Sequence, residues 1–359
     1  MPRFAHDTFT GLVLSLCLGA VGGAVFFYFN LPLAWMLGSM TFTTIAALGG
    51  APVRLYMPLR MAMVAVLGTL LGSAFTPQIL EQLQHWGAGV LTMIAFVTVM
   101  TAVSVTFLIK VGKLDRTTAY FAGTPGGLGE MTIVGEQQGG HTPTIALVHA
   151  TRIFVVVFIL PLYLRTIEGL DIPNTARVLG DRPSAEGSDL LILGACAVIG
   201  YFVGRHLRLP GSQILGPMVI SAIAYLSGIV DGRPPAHLIA VAQVVIGSAI
   251  GARFAGLNLR QTARPIILAV CSALAMLAMA AVFATIVSPI LGLPMHALLL
   301  ALSPGGLAEM SLIALALGID TAFIATMHLV RILLIVTLAP LFFRVTGLAA
   351  ESRKKPGKT

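Results

Sequence analysis

Apolar residues in this chain neither alternate with polar ones nor form a one-sided stripe. They come in blocks, near 10–29, 31–50, 57–75, 88–109, 141–164, 188–204, 211–230, 236–252, 265–291 and 320–343. Most hold roughly 18–25 residues, and such a run crosses about 30 Å of hydrocarbon as a helix. The blocks are apolar on every side and lack the period-2 pattern of an outer-membrane barrel. Helices are then the only spanning structure that satisfies the backbone in lipid. Two further blocks, about 117–138 and 295–318, are each interrupted by Pro-Gly-Gly.

Composition sharpens this picture. The chain is 57% hydrophobic and 10% charged, with mean hydropathy +0.93, which excludes a soluble domain. The net charge of +8 is not a nucleic-acid signal, because the basic residues lie in short loops and in the tail ESRKKPGKT. Loops of that kind stay on the cytoplasmic side. Cys17, Cys196 and Cys271 all fall in apolar blocks without CxxC spacing and read as packing residues. The first apolar run is longer than a signal-peptide core and leads straight into the next, so we expect a first transmembrane helix.

The chain repeats itself. Residues 122–165 and 301–344 align without a gap, with about 18 of 44 positions identical. VLGTLLGSAF (66–75) parallels VIGSAIGARF (245–254), and LPLAWMLGSM (31–40) parallels LPGSQILGPM (209–218). We therefore expect a first membrane repeat at 8–166, a polar linker at 167–186, a second repeat at 187–346 and a basic tail at 347–359. In the first repeat, Arg54, Arg60, Lys110, Lys113 and Arg116 flank the second–third and fourth–fifth connections. In the second repeat those connections hold only Arg233. The bases move to Arg205 and Arg208, then to Arg253, Arg260 and Arg264. Opposite bias in equivalent loops predicts inverted repeats, with both termini cytoplasmic and the linker external. The expected fold is an all-α polytopic membrane protein. Each repeat has five transmembrane helices and one broken or re-entrant PGG segment. The alternative is six plus six in parallel, since 117–138 as one helix would span about 33 Å.

The PGG segments read AGTPGGLGEM (122–131) and ALSPGGLAEM (301–310). Thr124-Pro125 and Ser303-Pro304 resemble helix starts, with the hydroxyl as N-cap and proline at the first helical position. Gly126-Gly127 and Gly305-Gly306 would leave free backbone N–H groups bare, an anion site by construction. A plain kink is the bland alternative. Glu130 and Glu309 follow about one and a half turns later, and His149, Arg152, His328 and Arg331 lie on the next helix at i, i+3 spacing. Thr142, Ile145, Ala146, His149, Arg152 and Ile153 keep their identity in Thr321, Ile324, Ala325, His328, Arg331 and Ile332, one stripe of the helix. One assignment gives Arg152 and Arg331 an anionic group to hold, with Glu130, Glu309 and the histidines moving protons. The other pairs Glu130 with Arg152 and Glu309 with Arg331 as structural bridges.

Gly68, Gly72, Gly247 and Gly251 have small-xxx-small spacing and read as helix-contact residues. Trp35 and Trp86 read as packing or interface residues. Glu136, Asp320, His141 and His6 read as membrane-surface residues without assigned roles.

TPGGLGEM and SPGGLAEM, each followed by HxxR, resemble the bacterial AbrB-type integral membrane family, also called ammonia monooxygenase-type or AbrB duplication proteins. The resemblance covers both halves. The monooxygenase label implies copper or iron. The eight histidines are scattered, and only His149 and His328, each with a nearby Glu, could meet. No metal or other cofactor is expected. The resemblance also implies an effect on expression of another gene, which a transporter exerts indirectly through a metabolite. A soluble DNA-binding regulator bearing the same family name is excluded by the lack of a basic recognition helix.

The sequence thus predicts a bacterial inner-membrane secondary transporter of a small anionic solute, coupled to protons. Its partners would be that solute and the lipid bilayer, with a second copy of the chain as a further candidate and no nucleic acid. A membrane sensor or regulator is the second class, and a membrane oxidoreductase the third.

Overall fold

The computed structural model describes residues 2–75, 77–170 and 183–345. Much of the linker and the whole basic tail lie outside the described residues. Among the described residues fourteen α-helices follow in order: α1 (Pro2–Tyr28), α2 (Ala34–Leu48), α3 (Met57–Gly72), α4 (Pro77–Lys110), α5 (Arg116–Gly123), α6 (Leu128–Gln137) and α7 (Thr142–Thr166). Then come α8 (Ser188–His206), α9 (Ser212–Leu226), α10 (Ala236–Gly251), α11 (Leu259–Leu291), α12 (Met295–Leu302), α13 (Leu307–Ala316) and α14 (Thr321–Val345). A 3-10 turn, Ala252–Phe254, extends α10.

Seven described helical stretches are long and apolar enough to cross a membrane. They lie in α1, α4, α7, α8, α11, α14 and in α10 with its 3-10 turn. α2, α3 and α9 are shorter than their apolar blocks, at 15, 16 and 15 residues. That is about 22–24 Å each, less than the hydrocarbon core. Glycines at positive φ explain two of the early stops: Gly50 follows α2 and Gly228 follows α9. Both PGG segments are broken helices rather than single continuous ones. α5 and α12 have 8 residues each, and α6 and α13 have 10 each.

The chain divides into two compact units. The first comprises Met1–Gln84, Val157–Asn258 and Ala308–Ile324. Here α1 packs on α2, α8 on α9, α2 on α10 and α3 on α9. The backbones touch directly where Gly22 meets Gly38 and where Gly200 meets Gly216: a Cβ on Gly38 or Gly216 would overlap the opposing carbonyl. Gly68 and Gly72 lie against Ile214 and Met218, and Gly247 and Gly251 against Met36 and Met40. All four are helix-contact glycines, as their spacing predicts. Position numbers rise together in both contacts, so α3 runs parallel to α9, and α10 to α2.

The second unit comprises His85–Val156, Leu259–Leu307 and Ala325–Thr359. Its core gathers Leu108, Phe121, Met131, Ile145, Ile335 and Phe343. Ser104 and Ser272 hydrogen-bond through their hydroxyls at 2.9 Å, and the rings of Phe96 and Phe283 meet edge-on at 5.2 Å. The α11 partner number rises as the α4 number falls, so these two long helices are antiparallel.

Candidate functional site: two arginine-clamped helix breaks

Asp115 starts α5 by accepting a hydrogen bond from the Thr118 N–H. The helix ends eight residues later because proline follows Thr124 and biases that residue away from helical backbone. Thr124 adopts extended backbone (φ −75°, ψ 127°), as does Ser303 (φ −58°, ψ 137°) after α12. Each ending exposes carbonyls that have no partner within the helix.

The next long helix supplies the partners. His149 bonds the Phe121 carbonyl through Nε2 at 2.8 Å, and His328 bonds the Leu300 carbonyl at 3.1 Å. A carbonyl only accepts, so Nε2 carries the hydrogen in both. Arg152 donates to the carbonyls of Thr124 (3.4 Å) and Gly126 (3.0 Å). Arg331 donates to those of Ser303 and Gly305, both at 2.6 Å. Each i, i+3 pair thus acts as one clamp over a half-helix C-terminus, where cations complement the negative end of the dipole. At each break the histidine and the arginine meet the end of the half-helix together, from the one helix face that their i, i+3 spacing gives them. The shared stripe of α7 carrying His149 and Arg152 faces α5.

Two expectations need correction. Thr124 and Ser303 are not N-caps: their hydroxyls donate backwards, to Tyr120 O (2.7 Å) and Leu299 O (2.6 Å), and each sits at a helix C-cap. The N-cap of α6 is Gly127, and Pro125 belongs to the break rather than to the first turn. The physical reason is that the preceding half-helix claims the hydroxyl through an i−4 bond. Nor, among the described residues of the second unit, does Glu130 form an ion pair with Arg152. The hydrogen bonds of both arginines end on main-chain carbonyls, because the break places those carbonyls within reach.

Arg152 and Arg331 are each 3% exposed. Each keeps a buried Nε–H without a hydrogen-bond partner. The two guanidinium groups, both in the second unit, lie close enough to feel each other's charge.

The two glutamates differ in setting. Glu130 is half-buried and folds its carboxylate back over Gly127, at the start of its own helix. Glu309 is 7% exposed, and within the first unit its charge reaches Arg253, which the charge of Arg60 also reaches. Sequence reasoning counted Arg60 and Arg253 only as loop charges. Arg60 in fact sits inside α3 with a buried, unpartnered Nε, and Arg253 in the 3-10 turn after α10. The available signal was the place of Arg60 within an unbroken apolar run, MPLRMAMVAVLG. Among the described residues no three His, Cys, Asp or Glu side chains gather as a metal site.

Fold and site define a multi-pass α-helical membrane protein with paired broken helices. The chain belongs to the AbrB family: the family model described as "Transition state regulatory protein AbrB" matches residues 35–347. It is similar to "Uncharacterized protein YhjN" of Bacillus subtilis (strain 168), 26% identical over 359 residues, covering 92% of this chain and 91% of that one. It is also similar to "Putative regulator AbrB" of Escherichia coli (strain K12), 27% identical over 351 residues, covering 95% and 97%.

Proposed function

We propose that this protein is a secondary transporter of a small anionic solute, coupled to protons and seated in a bacterial inner membrane. The observation that carries the reading is the arginine pair. Two cations are buried within range of each other, each has an unpartnered Nε–H, and the hydrogen bonds of both end on carbonyls. Isolated charge at bilayer depth is costly, and an anion between the two guanidinium groups relieves both the repulsion and the unmet donors. Pro125-Gly126-Gly127 and Pro304-Gly305-Gly306 keep the backbone open beside it.

In this reading the chain is a duplication with inverted repeats. Matching helix lengths support it: α2 and α9 have 15 residues each, α3 and α10 16, α5 and α12 8, α6 and α13 10, α7 and α14 25. So does the antiparallel run of α4 and its counterpart α11. Five crossings per repeat then put both termini in the cytoplasm, with short α2, α3 and α9 crossing where protein surrounds their ends. A cysteine placed by Ser184→Cys, at an exposed position of the linker, is expected to react with an impermeant maleimide on intact cells. Reaction only after permeabilisation would leave parallel repeats as the better reading.

Glu309, buried and within reach of the Arg253 charge, is the main proton carrier in this scheme, and Glu130 a lesser one. His328 Nδ1, buried without a partner, is an available relay nitrogen. Proteoliposomes carrying Glu309→Gln are expected to lose the pH dependence of anion uptake, with a smaller change for Glu130→Gln. Unchanged pH profiles in both would remove proton coupling from the reading.

The name of the Escherichia coli relative favours a regulator as a second reading. A transporter that changes the level of a metabolite reaches the same outcome. Uptake by the purified protein in liposomes separates the two.

A further inference from the structure

The second unit contains a cavity of about 370 Å³ between α4 and α14. Its size falls within the range of small-molecule pockets, roughly 300–1,000 Å³. Val97, Ala102, Val105, Leu334, Ile335 and Leu338 make its apolar wall. Tyr120 and Thr124 also line it, but their hydroxyls are engaged, by Ala339 O (2.8 Å) and Tyr120 O (2.7 Å) respectively. Thr98 is likewise engaged, by Ile94 O (2.8 Å), and Thr101 and Thr106 complete the polar part of a lining that is otherwise apolar.

Its position ties it to the arginines. Thr124 lines the cavity, and its carbonyl accepts from Arg152. On α14, Leu334 and Ile335 lie three and four residues beyond Arg331, and Leu338 a further turn along, so the wall continues the face that carries the guanidinium. Gly126, whose carbonyl accepts the second bond from Arg152, lies against Ile335. The cavity thus abuts, through Thr124, the helix break that Arg152 clamps, and its α14 wall lies on the helix face that carries Arg331.

We propose that the substrate is an amphipathic monoanion, a small carboxylate with an aliphatic or aromatic body. Its carboxylate pairs with the guanidinium groups of Arg152 and Arg331 at the break, and its apolar part fills the α4–α14 cavity. This rests on the anion-transport reading of the same site. Inorganic sulfate or phosphate fits it less well, because such an anion leaves the apolar wall unfilled. The continuity of the wall with the arginines is what assigns the cavity to substrate rather than to a lipid acyl chain.

The test is binding of acetate, butyrate, hexanoate, benzoate, sulfate and neutral hexanol to the full-length protein in lipid nanodiscs, which avoid detergent in the cavity. Affinity is expected to rise roughly threefold to fourfold per buried methylene from acetate to hexanoate. Sulfate and hexanol should bind at least tenfold more weakly than hexanoate. Ala102→Phe, which narrows the cavity from the exposed side of α4, is expected to collapse the hexanoate-to-acetate affinity ratio. The acetate response of the same protein shows that it is folded. If acetate and hexanoate bind equally and both need Arg152, the anion site stands and the apolar pocket is overturned. If hexanol binds as well as hexanoate regardless of Arg152, the cavity is a lipid groove and the proposal fails. If no anion binds at all, the transport reading itself falls.

Discussion

Anion binding is expected to fall by at least thirtyfold in both Arg152→Ala and Arg331→Ala. Truncating one partner of a buried charge pair costs about 2–5 kcal/mol, and the neighbouring guanidinium then faces the anion alone. The parent at a hundredfold excess of ligand over its dissociation constant should gain about 2.7 kcal/mol of apparent stability, and the variants should gain little of it. A second effect accompanies the first without ligand. Each truncation leaves two carbonyls at a helix break without their donors, Thr124 and Gly126 in one case, Ser303 and Gly305 in the other. An unsatisfied buried acceptor costs about 1–3 kcal/mol. Comparing melting curves with and without anion separates the two roles. Variants that melt early yet keep the full ligand-induced gain would make the arginines clamps and nothing more. Arg152→Lys sharpens the comparison, because an ammonium keeps the charge but cannot span two carbonyls and still present an Nε edge.

The largest loss of stability is expected where backbones touch. In Gly38→Ala the new methyl overlaps the carbonyl of Gly22, and in Gly216→Ala that of Gly200. Neither obstacle is a side-chain tip that can turn aside. One helix must move away from the other, and the packing of α1 on α2, or of α8 on α9, loosens along its length. Overpacking of this kind costs about 3 kcal/mol or more, against which the better helix propensity of alanine offsets at most about 1 kcal/mol. Gly194→Ala in α8 is the control, since nothing lies near its added methyl. It should leave stability unchanged or raise it by at most about 1 kcal/mol. Thermal unfolding in nanodiscs, with yield in the membrane fraction, measures all three. Equal melting temperatures for Gly38→Ala and Gly194→Ala would mean that the α1–α2 contact carries little of the fold.

Much of this molecule was open to reading from its sequence. Long apolar blocks become helices because lipid leaves the backbone no other way to satisfy itself, and all ten continuous blocks overlap observed helices. Pro-Gly-Gly marked both breaks, because proline disfavours helix before it and glycine favours none. The spacing of His149 and Arg152, and of His328 and Arg331, placed each pair on one helix face.

What those faces touch was decided by tertiary structure. A hydroxyl before proline has two possible partners, the helix behind it and the helix ahead, and its sequence is the same for either. Packing chose the one behind, at Tyr120 and Leu299. A guanidinium has five donors and takes whichever acceptors arrive, and main-chain carbonyls are invisible to residue identity. So the glutamates looked like the natural partners, while the exposed carbonyls of the breaks won. Arg60 and Arg253 passed as loop charges for the same reason: hydrophobic periodicity carries no facing information in helices that are apolar all round. Sequence determined where the chain is helical, where it breaks and which residues share a face. Only three-dimensional packing decided which charges are brought together and which partners they take, because those depend on contacts between segments far apart in the chain.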